Sequence, residues 1–161
     1  MRAVMSSSGS VFVTDQDEPT GNGELITVSS AGICGSDLHL ISSGLSGVIL
    51  GHEFGGFTAD GTLVAVRPTG ECGSCQQCKS GFPHTCHQAA ASLHGTSING
   101  GLAEFVRVEP SRLVPVPSGT DPATVGLVEP LAVVIHGISR VSLTKGMSAL
   151  VVGSGSIGLL T

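Results

Sequence analysis

Four of the five cysteines in this sequence lie within 15 residues and have the spacing of a metal site. The pattern C-x2-C-x2-C-x7-C comprises Cys72, Cys75, Cys78 and Cys86. Four thiolates with no open coordination position are typical of a structural zinc site, whose binding energy stabilises a small loop. The alternatives are two disulfides and an iron–sulfur cluster. The N-terminus lacks the pattern of a secretory signal, and no Cys-Pro continuation follows the third cysteine, so we predict zinc.

A second group of possible metal ligands combines three chemical types. The fifth cysteine, Cys34, precedes the pair His52 and Glu53, which lies between glycines. A catalytic zinc needs about three protein ligands and one open position for water or substrate. The third ligand is either Glu53 or Glu129, and the residues alone leave this choice open. Glu129 can equally be an acidic group at a helix N-terminus, and an isolated cysteine such as Cys34 is often a small buried apolar residue.

Polar side chains that could move a proton lie close to Cys34. The Ser36 hydroxyl and the His39 imidazole flank the same loop and can carry a proton from an activated alcohol to solvent. The alternatives are a capping serine and a surface histidine. Asp37 can orient a metal-bound histidine, or it can simply form the turn. The other histidines are expected to be structural or exposed, namely His84, His87, His94 and His136.

A glycine-rich turn follows an apolar run near the end of the chain. Residues 148–152 are predicted to form a buried strand, and Gly153, Gly155 and Gly158 follow it in the pattern G-x-G-x-x-G. Such a turn lets the backbone approach the pyrophosphate of a dinucleotide and lets a helix pack against a strand. The acidic residue expected about 20 positions later would lie beyond Thr161.

The remaining pattern predicts short strands followed by helices. The 24 glycines and the short apolar runs favour a mainly β domain with many tight turns, and strands are predicted at 11–14, 25–30, 63–66, 103–108 and 112–116. Asp121-Pro122 is predicted to open a short helix and Glu129-Pro130 a longer one. The longer helix has an apolar stripe at helical spacing, made of Leu131, Val134, Ile135 and Ile138. A domain boundary is expected near residue 145.

Charge and hydropathy exclude some classes of partner. The net charge is −5 and the few Lys and Arg are scattered, so we expect no nucleic-acid partner. No apolar run is expected to span a membrane, and we expect no membrane partner. The simplest compartment is the cytoplasm.

Taken together and in this order, these motifs resemble the zinc-containing alcohol/polyol dehydrogenases of the medium-chain dehydrogenase/reductase superfamily. The similarity runs from about Leu25 to the glycine turn. Its segments are 31–39 (AGICGSDLH), 51–56 (GHEFGG), the four-cysteine lobe, 100–105 (GGLAEF), 129–132 (EPLA) and 151–158 (VVGSGSIG). The resemblance implies a GroES-like barrel with a structural zinc lobe at 1–144. It also implies the first strand and glycine turn of a Rossmann domain at 145–161.

The resemblance also implies roles for single residues. Cys34 and His52 match catalytic zinc ligands, and Glu53 matches a carboxylate that can itself enter the metal shell. Glu129 matches the sorbitol, butanediol and threonine dehydrogenase branch, which has Glu where other members have a third-ligand Cys. Ser36 and His39 match the proton relay. The four lobe cysteines match the structural zinc, and the three glycines of the turn match the cofactor site.

The implied activity is hydride transfer from an alkoxide of an alcohol or polyol, held on the catalytic zinc, to NAD or NADP. A homo-oligomer is expected for the full-length form. The glycine turn lies close to Thr161, so we expect these 161 residues to bind zinc without turning over substrate by themselves. The main alternative is a catalytically inactive GroES-like zinc module. Residues 60–66 are shorter than the corresponding stretch of the family, and this hairpin is expected to destabilise the barrel or open its core.

Overall fold

Seven strands and four α-helices make up the computed structural model, which describes all 161 residues. The strands are β1 (Arg2–Ser7), β2 (Ser10–Asp15), β3 (Glu24–Gly32), β4 (Glu53–Phe57), β5 (Leu63–Val66), β6 (Phe105–Val108) and β7 (Leu113–Pro115). The helices are α1 (Gly35–Ser42), α2 (Gln76–Lys79), α3 (Val128–Ser139) and α4 (Ser156–Leu160). Short 3-10 turns lie at Pro83–Thr85, Ala90–Ser92, Pro110–Arg112 and Pro122–Leu127.

Five strands form one antiparallel sheet in the order β6-β3-β4-β5-β7, and β1 and β2 form a separate antiparallel hairpin. The hairpin joins the rest of the chain through β1, because the N–H of Val4 donates to the carbonyl of Leu102 and the N–H of Leu50 donates to the carbonyl of Val4. The mainly β prediction is confirmed. The strands predicted at 11–14, 25–30, 63–66, 103–108 and 112–116 correspond to β2, β3, β5, β6 and β7, whereas β1 and β4 were not predicted.

The core lies on one face of the five-stranded sheet. It consists of Ile26, Phe54, Val64, Val66, Val106 and Val108. Val106 and Val108 alternate with the half-buried Arg107, as a strand with one buried face requires.

The hairpin at 60–66, which was expected to weaken the barrel, is closed. The Thr58 and Thr62 backbones are hydrogen-bonded across the turn at 3.0 Å, and β5 pairs in register with β4. The expected opening of the core is therefore wrong, because a tight turn at Gly61 (φ +84°) replaces the longer connection without exposing Val64 or Val66. The expected loss of stability stays a prediction.

The cysteine lobe projects between β5 and β6 and is tied to the sheet by Arg112. This side chain is buried, and its guanidinium donates to the carbonyls of Pro68 (3.3 Å) and Ser92 (2.7 Å). Pro68 precedes the lobe and Ser92 follows it, so one cation fixes both ends of the loop. The Arg67–Glu71 ion pair at 3.1 Å adds a second link at the entry.

Residues 128–161 are less buried than their sequence predicts. Within the apolar stripe of α3 only Val134 is buried, while Leu131 and Ile135 are exposed. The predicted buried strand at 148–152 does not form, and Leu150 and Val152 are 88% and 89% exposed. A strand requires a hydrogen-bonded neighbour, and no backbone hydrogen bond joins this segment to another one. The domain boundary near residue 145 stays a prediction.

One helical run, Pro122–Ser139, is long and apolar enough to cross a membrane by length and composition alone. The expectation that no run approaches a span is therefore wrong on this measure. Core helices of soluble proteins pass the same test. The run also includes Glu129, a charged residue that is costly within a bilayer.

Candidate metal centres

The register between β3 and β4 assembles the first centre. Gly32, the last residue of β3, pairs with Glu53, the first residue of β4. Cys34 lies just after the end of one strand and His52 just before the start of the other, so antiparallel pairing makes them neighbours. The possible ligand atoms of Cys34, His52 and Glu53 all lie within 4.8 Å of one another. The structure thus brings three of the four predicted ligands into one cluster.

Two glycines make room for this cluster. A Cβ on Gly32 would lie 2.3 Å from a carboxylate oxygen of Glu53, so glycine leaves the space that this carboxylate fills. Gly51 has φ +92°, and a Cβ there would lie 2.9 Å from the backbone nitrogen of Leu102. These constraints explain the glycine directly before His52 and the glycine that faces Glu53 across the strand pair.

Asp37 contacts both Cys34 and His52. It is 2% exposed, and one carboxylate oxygen accepts a hydrogen bond from the Cys34 N–H at 2.9 Å. Its other oxygen lies 3.1 Å from Nδ1 of His52, and neither of these two buried atoms has another polar partner. Asp37 therefore caps α1 and orients His52 with the same side chain. Of the two roles that the sequence left open for Asp37, the structure supports both.

The electrostatics of His52 follow from this pair. The hydrogen bond with Asp37 raises the pKa of His52 to about 9, although burial opposes the charged form. Because Nδ1 faces Asp37, Nε2 is the nitrogen that faces Ser36, whose hydroxyl lies 3.4 Å away. A carboxylate behind an imidazole makes its other nitrogen a better metal ligand.

Glu129 lies close to the cluster without belonging to it. It is in the first turn of α3, and its carboxyl is half-buried. Burial raises its pKa, the charge of His52 lowers it, and the charge of Glu53 raises it again. The carboxyl is thus close enough to His52 and Glu53 for their charges to affect its pKa. Its oxygens nevertheless do not belong to the group of ligand atoms that lie within 4.8 Å of one another. Of the two possible third ligands, Glu53 is the one whose carboxylate already lies within 4.8 Å of the other two ligand atoms.

The predicted proton relay is half assembled. Ser36 lies in the first turn of α1, beside His52 Nε2. His39 lies in the last turn of the same helix and is exposed. The two side chains are three residues apart and so share one helix face. His94 is buried against Phe54 with its Nδ1 2.6 Å from the Asn99 carbonyl, while His84, His87 and His136 are exposed.

The second centre is a near-tetrahedron of sulfur atoms. Cys75 lies 3.5 Å from Cys78 and 3.8 Å from Cys86, and Cys72 lies 3.6 Å from Cys86 and 4.0 Å from Cys78. Four sulfurs bound to one zinc at about 2.3 Å are separated by about 3.8 Å. All four cysteines are free thiols, so the disulfide alternative does not describe this structure.

Backbone and hydroxyl groups of the lobe favour the thiolate forms of Cys72 and Cys86, whereas burial raises the pKa of Cys78 to about 12. The Ser74 hydroxyl lies 3.6 Å from the Cys72 sulfur and the Cys75 N–H donates to it at 3.3 Å. The hydrogen bond from Ser74 is the largest cause of the lowered pKa of Cys72. The Gln88 N–H donates to the Cys86 sulfur at 3.4 Å. Metals bind the thiolate, so these donors suit a cysteine-rich metal site.

The glycine turn has two of the properties that its pattern predicts. Gly153 has φ +116°, and a Cβ on Gly158 would lie 2.1 Å from the Gly153 carbonyl oxygen. Gly155 precedes α4 and has open space where a Cβ would be. The turn is therefore formed, although the strand before it is not.

Both centres fit the metals proposed for them. A carboxylate and an imidazole buried beside a thiol require a compensating cation or hydrogen bonds, and this mixed donor set suits zinc with an open position. The four-sulfur set suits a closed structural zinc. The arrangement can bind one metal for chemistry and one for stability.

Comparison with known proteins agrees with this geometry. Residues 21–118 match the family model described as Alcohol dehydrogenase GroES-like domain. The chain is 31% identical to L-idonate 5-dehydrogenase (NAD(P)(+)) of Escherichia coli strain K12, over 98% of the chain and 51% of that enzyme. It is 34% identical to sorbitol dehydrogenase of Halalkalibacterium halodurans, over 95% of the chain and 49% of that enzyme.

Among solved structures, galactitol-1-phosphate dehydrogenase from Escherichia coli matches with a TM-score of 0.88 and 28% identity, over 99% of this chain and 51% of that one. The chain thus spans about half the length of the relatives it matches. The GroES-like fold expected from the sequence is confirmed. The chain belongs to the Alcohol dehydrogenase GroES-like domain family, in the zinc-containing medium-chain dehydrogenase/reductase superfamily.

Proposed function

We propose that this chain carries the zinc sites of an oxidoreductase that oxidises a secondary alcohol or polyol with NAD or NADP. The observation that carries the proposal is the cluster of Cys34, His52 and Glu53 at the paired ends of β3 and β4. The names of the relatives, idonate and sorbitol dehydrogenases, support a polyhydroxylated substrate.

Cys34 and His52 would hold the catalytic zinc, with Glu53 or Glu129 as the third ligand. When bound, zinc supplies a Lewis acid that lowers the pKa of the substrate hydroxyl. Asp37 keeps the Nδ1 side of His52 occupied, so that Nε2 remains directed toward the site. Glu53 reaches the cluster by its strand position, whereas Glu129 approaches on a helix and can move with it.

Ser36 and His39 would carry the hydroxyl proton. The Ser36 hydroxyl lies at the coordinating side of His52, where it can accept the proton of the alcohol and donate its own onward. His39 is exposed one turn later and can release a proton to solvent. A bound nicotinamide would supply the acceptor for the hydride, with its electron pair, from the carbinol carbon, so that the products would be a carbonyl compound, NAD(P)H and one proton.

The cofactor and the assembly complete the proposal. Gly153, Gly155 and Gly158 would approach the pyrophosphate of NAD or NADP as part of a Rossmann domain that begins at 145, after the barrel of 1–144. The cysteine lobe would bind the structural zinc. Five free cysteines suit the reducing cytoplasm. We propose a homo-oligomer there, with no nucleic-acid or membrane partner.

The test is enzyme turnover combined with metal content. The gene product at its natural length should oxidise at least one of a panel of polyols, including sorbitol and idonate, with NAD or NADP, and should contain about two zinc ions per chain. Cys34→Ser should abolish turnover and remove one zinc. Ser36→Ala should lower kcat and retain both zincs.

Two zincs without turnover on any substrate would favour the non-catalytic zinc module. A brown protein that contains iron would favour the iron–sulfur alternative. Protein concentration must come from amino-acid analysis, because the chain has no Trp or Tyr and absorbs little near 280 nm.

A further inference from the structure

The cysteine lobe contacts the helix that carries Glu129. The His84 ring, between Cys78 and Cys86, lies with its centroid 6.2 Å from that of His136 on α3, and the two planes are tilted by 58°. Aromatic rings at this separation attract each other. The two histidines are 52 residues apart in the sequence, and no part of the proposed function uses either of them.

The position of His84 is fixed by the metal lobe. It lies in the 3-10 turn Pro83–Thr85, and the N–H of Cys86 closes this turn onto the Pro83 carbonyl at 3.0 Å. The Phe82 ring packs edge-on against His84 at 6.1 Å, and the Phe82 N–H donates to Gln77 in α2 at 2.9 Å. Closing the four-sulfur centre therefore also fixes the imidazole of His84.

The position of His136 is linked to Glu129 through α3. Residues seven apart in an α-helix lie within about 20° of the same direction, so Glu129 and His136 share one face of α3. Its buried residues, Pro130 and Val134, lie in its first seven positions, so the C-terminal part of the helix that carries His136 is mostly exposed. A contact near its C-terminal end can therefore influence where its N-terminal end lies.

We propose that His84 and His136 are positioning residues, whose contact holds α3 against the cysteine lobe and so keeps Glu129 beside the Cys34–His52–Glu53 cluster. The inference rests on the proposed function, because it gives Glu129 a place in the metal shell. It also assigns a task to the lobe beyond stability, which is to set the distance between Glu129 and the catalytic metal.

The test measures how tightly the catalytic centre holds its metal, by competition with a chromophoric chelator and by the visible spectrum of the cobalt-substituted protein. His84→Ala and His136→Ala should each weaken metal binding there about twofold to tenfold, as expected for the loss of one aromatic contact. The double variant should be no worse than either single variant. His136→Phe should restore binding, since it keeps a ring at the contact.

Two controls make the result decisive. His87→Ala, at an exposed histidine three residues from His84, should leave metal binding unchanged. In a Glu129→Gln background, His84→Ala should have no further effect, because the contact acts only through Glu129. A loss that persists in that background would overturn the proposal, and so would a Glu129→Gln variant that binds metal as tightly as the wild type. Cys34→Ser tests the proposed function separately, since it must remove the metal whatever His84 does.

Discussion

Cys72, Cys75, Cys78 and Cys86 come from one loop of 15 residues, whereas Cys34, His52 and Glu53 come from the ends of two paired strands. The four-cysteine centre is local, so its sequence spacing alone predicts its chemistry. The Cys34–His52–Glu53 centre depends on the register of β3 and β4, which no local spacing specifies. The difference implies that folding of the lobe depends on metal binding, whereas strand pairing in the barrel forms the other centre without metal.

The largest effect is expected when the four-cysteine centre is disrupted. Cys72→Ser should remove one zinc and unfold the lobe, because metal binding supplies most of the folding energy of such a loop, on the order of several kcal/mol. Cys34→Ser should also remove one zinc but lower the free energy of unfolding by only about 1 kcal/mol. Urea unfolding and hydrogen exchange of residues 72–92 measure the contrast. Equal losses of stability in both variants would contradict it.

The next effect concerns pH and the strand-assembled centre in the metal-free protein. The pKa of His52 is raised to about 9 from an ordinary 6.5, so its stabilising contribution is complete below pH 6.5 and is lost as the pH rises toward 9. The loss should be on the order of 3 kcal/mol. Asp37→Asn should reduce the dependence of the unfolding free energy on pH in this range. The cysteine thiols titrate in both proteins, so subtracting the pH profile of the variant from that of the wild type removes their contribution. The lowered pKa of buried His94 destabilises only below pH 6.5, outside this window.

Asp37 also marks the limit of what could be predicted from the sequence. The ligand types and the resemblance predicted Cys34, His52 and Glu53, and the four-cysteine spacing predicted the lobe. The two simultaneous contacts of Asp37 could not be predicted, because they exist only when α1 starts directly behind the β3–β4 junction. The role of Arg112 could not be predicted from the sequence either, because its hydrogen-bond acceptors are the backbone carbonyls of Pro68 and Ser92, and every residue has such a group.

Other errors have a common physical origin. The helical spacing of α3 correctly predicted a helix, but it predicted a buried stripe where only Val134 is buried. The apolar run at 148–152 was likewise predicted to be a strand and has no neighbour to pair with. An apolar pattern identifies residues that can be buried, and it does not say which segment covers them.

A moderate effect is expected at the base of the lobe. Arg112→Met keeps the buried aliphatic stem but removes the donors to Pro68 and Ser92, which should cost about 2–3 kcal/mol of unfolding free energy. It should speed zinc release from the lobe, measured with a chromophoric chelator that does not react with thiols. Zinc release from the Cys34 centre should keep its wild-type rate. Arg67→Met, which removes the half-exposed ion pair with Glu71 and a long 3.4 Å hydrogen bond to the Ser111 carbonyl, is the matched control and should cost under about 1 kcal/mol.

The smallest expected effect distinguishes Glu53 from Glu129 as the third ligand. The Cβ introduced by Gly32→Ala would lie 2.3 Å from a carboxylate oxygen of Glu53, so this side chain must move while the backbone stays in place. If Glu53 is the ligand, metal binding at the Cys34 centre should weaken by roughly 1 kcal/mol, and Glu53→Gln should weaken it further. If Glu129 is the ligand, Gly32→Ala should leave metal binding unchanged and only Glu129→Gln should weaken it. Chelator competition on the three variants decides between them, because each hypothesis assigns the loss to a different residue.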